Sequence, residues 1–334
     1  MSTINATVLT LSDMAKRLDP DGKIAGIVEL LSQTNEILLD MLWMEGNLPT
    51  GHLTTVRTGL PSVAWRLING GTLTSKSRTA QITEHAGILE SWSEVDVDLA
   101  MLNGNTPQFR LSEAQAFIEA MGQEMASTIF YGNAGTAPEE FTGLAPRYSA
   151  ISGATNASNV LTGSGSGSDN SSVWLVGWGQ NSCFGIFPKG SKAGLQHNDY
   201  GEVTIENAGG VTGARMRALQ ERFQWKAGIA LKDWRYVARI PNIDISNLVA
   251  KSSAADLIEL MIKAINRIPN LNSCKPVFYM NRTCVQMLDI QRRDDVISGG
   301  QLTYDVVDGK RIRSFNGIPI RICDALLETE ATVS

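Results

Sequence analysis

Apolar residues recur at helical spacing in three stretches of the chain. The first covers residues 23–44, the second covers residues 112–131 and the third covers residues 254–267. A period of 3.6 residues predicts an amphipathic helix in each stretch. Ser112 and Ser253 stand where a side chain could cap the second and third helices.

Residues 49–90 follow a different pattern, that of extended chain. Three β-prone segments lie here, at residues 54–58, 63–68 and 79–83, with the turn signal Asn69-Gly70-Gly71 after the second. They carry few large apolar residues, too few to bury a core of their own. The pattern indicates either a ribbon with two polar faces that needs a partner, or an ordinary hairpin at the edge of a globular sheet.

The second half of the chain is richer in strands. The composition of residues 149–172, which include a Gly-Ser run, predicts a flexible loop. Asn316-Gly317 between alternating apolar residues predicts a hairpin. Further strands are predicted at residues 173–178, 184–187, 229–240 and 277–280. Strands and helices do not alternate regularly, so the sequence predicts an α+β fold.

Composition and charge limit the classes of function that this chain could have. The chain has 334 residues, 43% of them hydrophobic and 19% charged, which is enough for one large domain or two intermeshed ones. Its formal net charge of −5 argues against a protein that coats nucleic acid. A protein that only encloses nucleic acid needs no such affinity.

Targeting signals and cysteine spacing point to an intracellular origin. Residues 1–11 lack a basic start and a long apolar core, so we expect no signal peptide, and no apolar run is long enough for a membrane span. Without a secretion signal, four cysteines that form no C-x-x-C motif are expected to be reduced and mainly buried. They are Cys183, Cys274, Cys284 and Cys323.

Catalytic and ligand-binding motifs are missing from the sequence. The three histidines, His52, His85 and His197, show no zinc spacing, so we predict no metal and no cofactor. His197 and Asp199 could form an acid–base pair, but a polar loop between Gly194 and Gly201 is the better interpretation. The seven tryptophans are expected to be core or interface anchors. We therefore predict no catalytic residue and no enzyme.

The order of segments resembles that of the major capsid proteins of tailed double-stranded DNA bacteriophages, the Hong Kong 97-like capsid fold. An arm is followed by an extended loop, a long helix and a mixed second half, and the resemblance covers nearly the whole chain. The resemblance rests on the short sequence segments at residues 50–61, 65–71, 93–96, 130–133, 141–145, 237–244 and 315–321.

The resemblance implies a division of the chain into five parts. These are an N-terminal arm and helix (1–48), an extended β-hairpin loop (49–90), a peripheral domain with the spine helix 112–131 (91–148), a strand-rich block with the flexible Gly-Ser loop, peripheral or axial (149–250), and an axial-type domain with C-terminal strands (251–334). The order of segments departs from that of the family at one point. A strand-rich block, 173–245, precedes the axial-type unit at 253–291, which is compatible with a rearranged connectivity within the same architecture.

Function, location and partners follow from the same resemblance. It implies a head protein that self-assembles into an icosahedral shell of the virion, built from pentamers and hexamers in the bacterial host cytoplasm. A scaffolding protein, a portal and a decoration protein would be its partners, with packaged double-stranded DNA held without sequence-specific binding and no membrane involved. Arg57, Trp65, Arg66 and Lys76 are the candidate assembly contacts. No crosslink of Lys76 is predicted, because no buried acid can be named as its catalyst.

Three other functions stay open at the level of sequence. An encapsulin-like compartment shares the fold but encloses protein cargo. A tail or baseplate component would form rings or tubes. A cytosolic hydrolase would need a serine, an aspartate and one of the three histidines.

Overall fold

Strands form most of the regular structure in a computed structural model of the chain, which describes residues 32–101, 106–206, 211–294, 302–307 and 310–334. The helices are α1 (Ile37–Asp40), α2 (Val97–Met101), α3 (Thr106–Tyr131), α4 (Ile245–Ala250), α5 (Leu257–Ile265) and α6 (Arg282–Asp294). The strands are β1 (Trp43–Glu45), β2 (Gly51–Gly59), β3 (Arg78–His85), β4 (Gly87–Asp96), β5 (Asn170–Trp178), β6 (Cys183–Phe187), β7 (Leu195–Glu206), β8 (Arg215–Leu231), β9 (Val237–Asp244), β10 (Lys275–Met280), β11 (Leu302–Val307), β12 (Lys310–Phe315) and β13 (Ile318–Ile322). The fold is α+β, as the sequence predicts.

Eleven of the strands form one sheet. Its main path runs β11-β12-β13-β10-β5-β6-β8-β4, while β1, β7 and β9 pair with β6, β8 and β5. The long strand β8 is antiparallel to both β4 and β7. Within the described ranges, the remaining two strands, β2 and β3, pair only with each other.

Strand β5 separates two hydrophobic cores. All nine of its residues are buried. Trp174 and Val176 face a core shared with α3, and Val173 and Leu175 face a core shared with α5 and α6. Because successive side chains of a strand point to opposite faces, one continuous apolar run serves both layers.

Local signals in the sequence located several elements correctly. Strands β5, β6 and β10 lie where the apolar runs predict them. Residues Asn316 and Gly317 both have positive φ, 50° and 77°, and connect β12 to β13 as the turn signal predicts.

The predicted long helices have different boundaries. Helix α3 begins at Thr106 instead of Ser112, because the helix extends through Pro107 in its first turn, a position where proline is tolerated. Helix α5 begins at Leu257, and its cap is Asp256, whose carboxylate accepts a hydrogen bond from the backbone N–H of Glu259. Ser253 lies outside the helix with φ of 52°.

The helix predicted at residues 23–44 is wrong where the structure can test it. Residues 23–31 lie outside the described residues. Beyond them only Ile37–Asp40 is helical, and Trp43–Glu45 pairs instead with Gly185–Phe187 as a parallel strand. Pairing with β6, far away in the sequence, prevails here over the local helical period.

Two strand predictions are also wrong. Residues 229–240 are split between β8 and β9 by a turn, in which the Asp233 carboxylate accepts a hydrogen bond from the N–H of Arg235. Residues 63–68 form no strand, since nothing in the described chain pairs with them.

The region of the Gly-Ser run is attached to the body of the protein. The N–H groups of Gly163 and Gly165 donate to the carbonyls of Pro241 and Asn242, each at 2.8 Å. A Cβ at either glycine would lie 2.7 Å from the Asn242 carbonyl oxygen. These contacts differ from the free loop that the composition predicts.

Candidate assembly interface

A two-stranded hairpin projects from the sheet. Strands β2 and β3 are antiparallel, and their register pairs Gly51 with His85 at the base and Gly59 with Arg78 at the far end. Nine residues of extended chain span about 30 Å. Residues 60–77, here called the tip, connect the two strands. The chain reverses near Asn69, which has φ of 65°.

The tip exposes an unusual number of large apolar side chains. The exposed fraction lies between 81% and 105% for six of them: Leu60, Val63, Trp65, Leu67, Ile68 and Leu73. Single exposed apolar residues are common on proteins, whereas a cluster of this kind marks an interaction surface. Of the two interpretations left open by the sequence, the ribbon that needs a partner fits this exposure.

All four candidate assembly residues lie on the hairpin. Arg57 is in β2, and Trp65, Arg66 and Lys76 are in the tip; all four are exposed. The contacts that order the tip are internal to it. Arg66 Nη1 donates to the Gly70 carbonyl at 3.4 Å, and Ser75 Oγ donates to the Ser62 carbonyl at 2.8 Å. Roles for these four residues in assembly stay a prediction.

A buried ion pair holds the hairpin to the body. Glu84, near the end of β3, accepts two hydrogen bonds from the guanidinium of Arg147, at 2.5 and 2.6 Å. The same guanidinium donates to the carbonyls of Thr142 and Gly143, each at 3.0 Å. Burial alone would lower the pKa of Arg147, but the bonds with Glu84 outweigh it and the pKa is raised. The base of the hairpin is therefore fixed while its tip is free.

Sequence reasoning missed this pair, although one signal was present. Glu84 is the only acidic residue between Glu45 and Glu90. A lone acid in a basic and apolar stretch is expected to have a specific partner. The identity of that partner, 63 positions away, follows only from the fold.

His52 lies on the other strand at the same base. Its ring meets Phe184 edge to face, with 5.5 Å between ring centroids. Burial lowers the pKa of His52, and the positive charge of Lys232 lowers it further. The neutral imidazole is thus the form that packs here.

We expect Arg147→Met to loosen the hairpin base. The change leaves the Glu84 carboxylate buried without its partner and should lower the free energy of unfolding by about 3 kcal/mol, at the lower end of the range for broken buried pairs. Urea denaturation measures the loss, and hydrogen exchange should show faster exchange in β2 and β3. Arg235→Met is the matched control, because the Arg235 side chain is 55% exposed and its pair with Asp233 should contribute less than about 1 kcal/mol. Equal effects from the two variants would contradict the assignment.

Polar clusters elsewhere have structural explanations. His197 lies in strand β7, not in a loop, and its Nε2 is 3.1 Å from Glu221 Oε2. Arg110 forms salt bridges with both Asp199 and Glu221, so the acids beside this histidine are neutralised. Across the part of the chain that the structure describes, no group of His, Cys, Asp and Glu could hold a metal ion.

The cysteines and the helices add two further facts. All four cysteines are free thiols, three of them buried and Cys274 partly buried, as the sequence predicts. Burial raises the pKa of Cys183, Cys284 and Cys323 to about 12. Among the described helices, none combines the length and the apolarity that a membrane span requires.

Comparison with known proteins extends these observations. The family described as major capsid protein GP7 matches residues 19–334. A chain in the near-atomic structure of bacteriophage Epsilon15 is 33% identical, and the match covers 100% of this chain and 99% of that chain with a TM-score of 0.78. A search of curated proteins finds no match.

Two other solved structures are more distant. A chain of the bacteriophage JBD30 capsid is 9% identical, with 89% of this chain and 93% of that chain covered and a TM-score of 0.47. A chain of the holo-SrpI encapsulin complex from Synechococcus elongatus PCC 7942 is 11% identical, with 70% and 96% covered and a TM-score of 0.42.

Proposed function

Since this chain belongs to the family of the major capsid protein GP7, we propose that its β2–β3 hairpin lies across a neighbouring subunit and joins the two in the shell. The chain is a shell-forming structural protein of the phage virion with the Hong Kong 97-like fold, and it is not an enzyme. One observation carries the proposal for the hairpin. Its tip exposes six large apolar side chains that none of the described residues of the same subunit covers.

Burial of the tip on a neighbour would supply much of the association free energy. Full burial of a large apolar side chain contributes roughly 1.5–3 kcal/mol. Each subunit would give one tip and receive another, so every subunit is held at two places by this element alone. Contacts that are moderate singly then sum to a lasting shell.

The predicted division of the subunit also becomes a proposal. Helix α3 would be the spine of the peripheral domain, and the unit α5-β10-α6 would be the axial domain near the centre of a pentamer or hexamer. Strands β5 to β9 intervene between them in the chain. Because β5 pairs with β10, this inserted block and the axial unit share one sheet, which supports a rearranged connectivity within the same architecture.

Further partners are proposed on more general grounds. Packaged double-stranded DNA would be held by enclosure and not by specific contacts, because the net charge of −5 gives no bulk attraction to phosphates. A separate scaffolding protein is proposed because the resemblance to tailed-phage capsid proteins implies one. A portal and a decoration protein complete the set of partners that the resemblance implies.

Family membership also sets aside the other functions that the sequence left open. The encapsulin-like compartment, the tail component and the hydrolase each require a different family from the one that matches residues 19–334.

Expression of the chain, alone and with the scaffolding protein of its phage, tests the proposal. We expect closed shells by negative-stain microscopy, and DNA protected from nuclease inside particles purified from infected cells. Cargo protein in place of DNA would contradict the viral role. A persistent monomer of 36.2 kDa under every condition would contradict shell formation itself.

A further inference from the structure

A groove lies at the root of the hairpin, between strand β4 and helix α3. Its volume is about 170 Å³. A cavity of about 150 Å³ accommodates a benzene ring, so this groove can receive one large side chain. Its lining residues are Gly87, Ile88 and Leu89 of β4, Glu124, Met125 and Thr128 of α3, and Glu139, Glu140 and Phe141 of the following loop.

The groove has an apolar floor and a negative rim. Met125 and Phe141 are buried beneath it, and Ile88 at its edge is 59% exposed. Glu124 and Glu139 are exposed on the rim. Among the described residues, neither carboxylate forms a salt bridge. An occupant that is apolar and positively charged would suit this surface.

The hairpin has the complementary composition. The chain contains 29 basic and 34 acidic residues. Residues 46–83 hold four of the basic residues and none of the acidic ones, so the remainder carries 25 basic and 34 acidic residues. The four basic residues are Arg57, Arg66, Lys76 and Arg78. A basic and apolar segment therefore projects from an acidic body.

The occupant cannot be the tip of the same subunit. About 30 Å of paired strand separate the tip from its own root, where the groove lies. The six large apolar side chains of the tip are 81% to 105% exposed, so no part of the body that the structure describes covers them. A tip that reaches this groove must come from another copy of the chain.

Resting on the assembly role proposed above, we propose that Trp65 of one subunit inserts into the groove of the next subunit. Arg66 of the incoming tip then lies beside Glu124 and Glu139 on the rim. Because the tip of one copy meets the root of the next, the contact is head to tail. Such heterologous contacts generate closed rings when the rotation closes, which is the symmetry that pentamers and hexamers need.

A pair of engineered cysteines tests the contact in assembled shells. Arg66→Cys with Glu139→Cys, on a Cys274→Ser background, should give disulfide-linked ladders up to the ring size on non-reducing gels. Each single variant should give none. The matched control is Arg66→Cys with Glu259→Cys, because Glu259 is also exposed but lies on α5 away from the groove.

Charge reversal provides an independent measurement. Glu139→Arg alone should reduce the yield of shells at least about tenfold, because like charges at an interface oppose association. Arg66→Glu alone should do the same, and the double variant should restore assembly.

The outcomes separate this inference from the capsid role. Shells that form without ladders, and without rescue by the double reversal, would overturn the groove assignment and leave the capsid role intact. A groove cysteine that is protected from maleimide in shells but never linked to the tip would mean another occupant, and would also overturn it. Failure of the unmodified protein to form any shell would count against the assembly role instead.

Discussion

Removal of the apolar side chains of the tip is expected to abolish shell assembly while the subunit stays folded. Val63→Ser, Trp65→Ser, Leu67→Ser and Ile68→Ser together keep the length of the hairpin and remove its apolar surface. At roughly 1.5–3 kcal/mol for each buried side chain, the loss would be about 6–12 kcal/mol for each contact. That loss is larger than most interfaces tolerate. Sedimentation should show no particles.

The free subunit should hardly be affected by the same change. These side chains are 84% to 105% exposed and bury almost no surface against the described part of the monomer, so the melting temperature should change by less than about 2 °C. Thr72→Ser with Thr74→Ser is the matched control within the tip and should assemble normally. Shells of normal size and yield from the fourfold variant would contradict an adhesive role for the tip.

The second large effect is expected at the buried charge of Arg239, on strand β9. Its Nη2 donates to Glu330 at 2.7 Å and its Nη1 donates to the Tyr148 carbonyl at 3.0 Å. Its guanidinium also lies 5.1 Å from the ring centroid of Trp174. Both members of the Arg239–Glu330 pair have side chains only 5% exposed. This pair fixes the segment around Glu330 against the central strands.

Arg239→Met should lower the free energy of unfolding by about 3–5 kcal/mol. The reason is that Glu330 would remain buried with only Tyr131 and Ser172, two neutral groups, as hydrogen-bond partners. Chemical denaturation measures the change. The double variant Arg239→Met with Glu330→Leu should recover part of the loss, since it leaves no unpaired charge.

A matched exposed pair provides the control for this variant. Arg215 and Glu206 have side chains 68% and 66% exposed, so Arg215→Met should cost less than about 1 kcal/mol. A loss below 1 kcal/mol for Arg239→Met as well would show that this burial has no energetic consequence.

Local patterns in the sequence predicted the elements whose structure depends on neighbours in the chain. The apolar run of β5 and the Asn316-Gly317 turn are examples. The start of α6 depends on equally local contacts, since the Asn281 side chain accepts a hydrogen bond from the N–H of Thr283. In the turn and the cap the deciding contacts lie within a few residues, whereas β5 is marked by its own continuous apolar run although its partners β9 and β10 are distant in the chain.

Contacts between distant parts of the chain explain what the sequence did not reveal. Trp43 joined a strand because β6 lies beside it, and no local period encodes that pairing. The partner of Glu84 and the groove between β4 and α3 likewise exist only once the fold is formed. That the hairpin needs a partner stays a prediction; it came from a lack of core residues that is visible in the sequence itself, and the exposed apolar tip supports it.

Hydrogen bonds join Thr34 and Asn35 to Asp324 and Ala325, and this long-range contact affects the timing of folding. The Asp324 carboxylate accepts a hydrogen bond from the N–H of Thr34 at 2.9 Å, and Asn35 Oδ1 accepts one from the N–H of Ala325 at 3.0 Å, each across 290 positions. During synthesis the hairpin leaves the ribosome long before these hydrogen bonds can form. Contacts of such high sequence separation form slowly, because a large loop must close first. Nascent chains are therefore expected to expose the apolar tip before the rest of the subunit has folded. Assembly should then begin only after translation is complete.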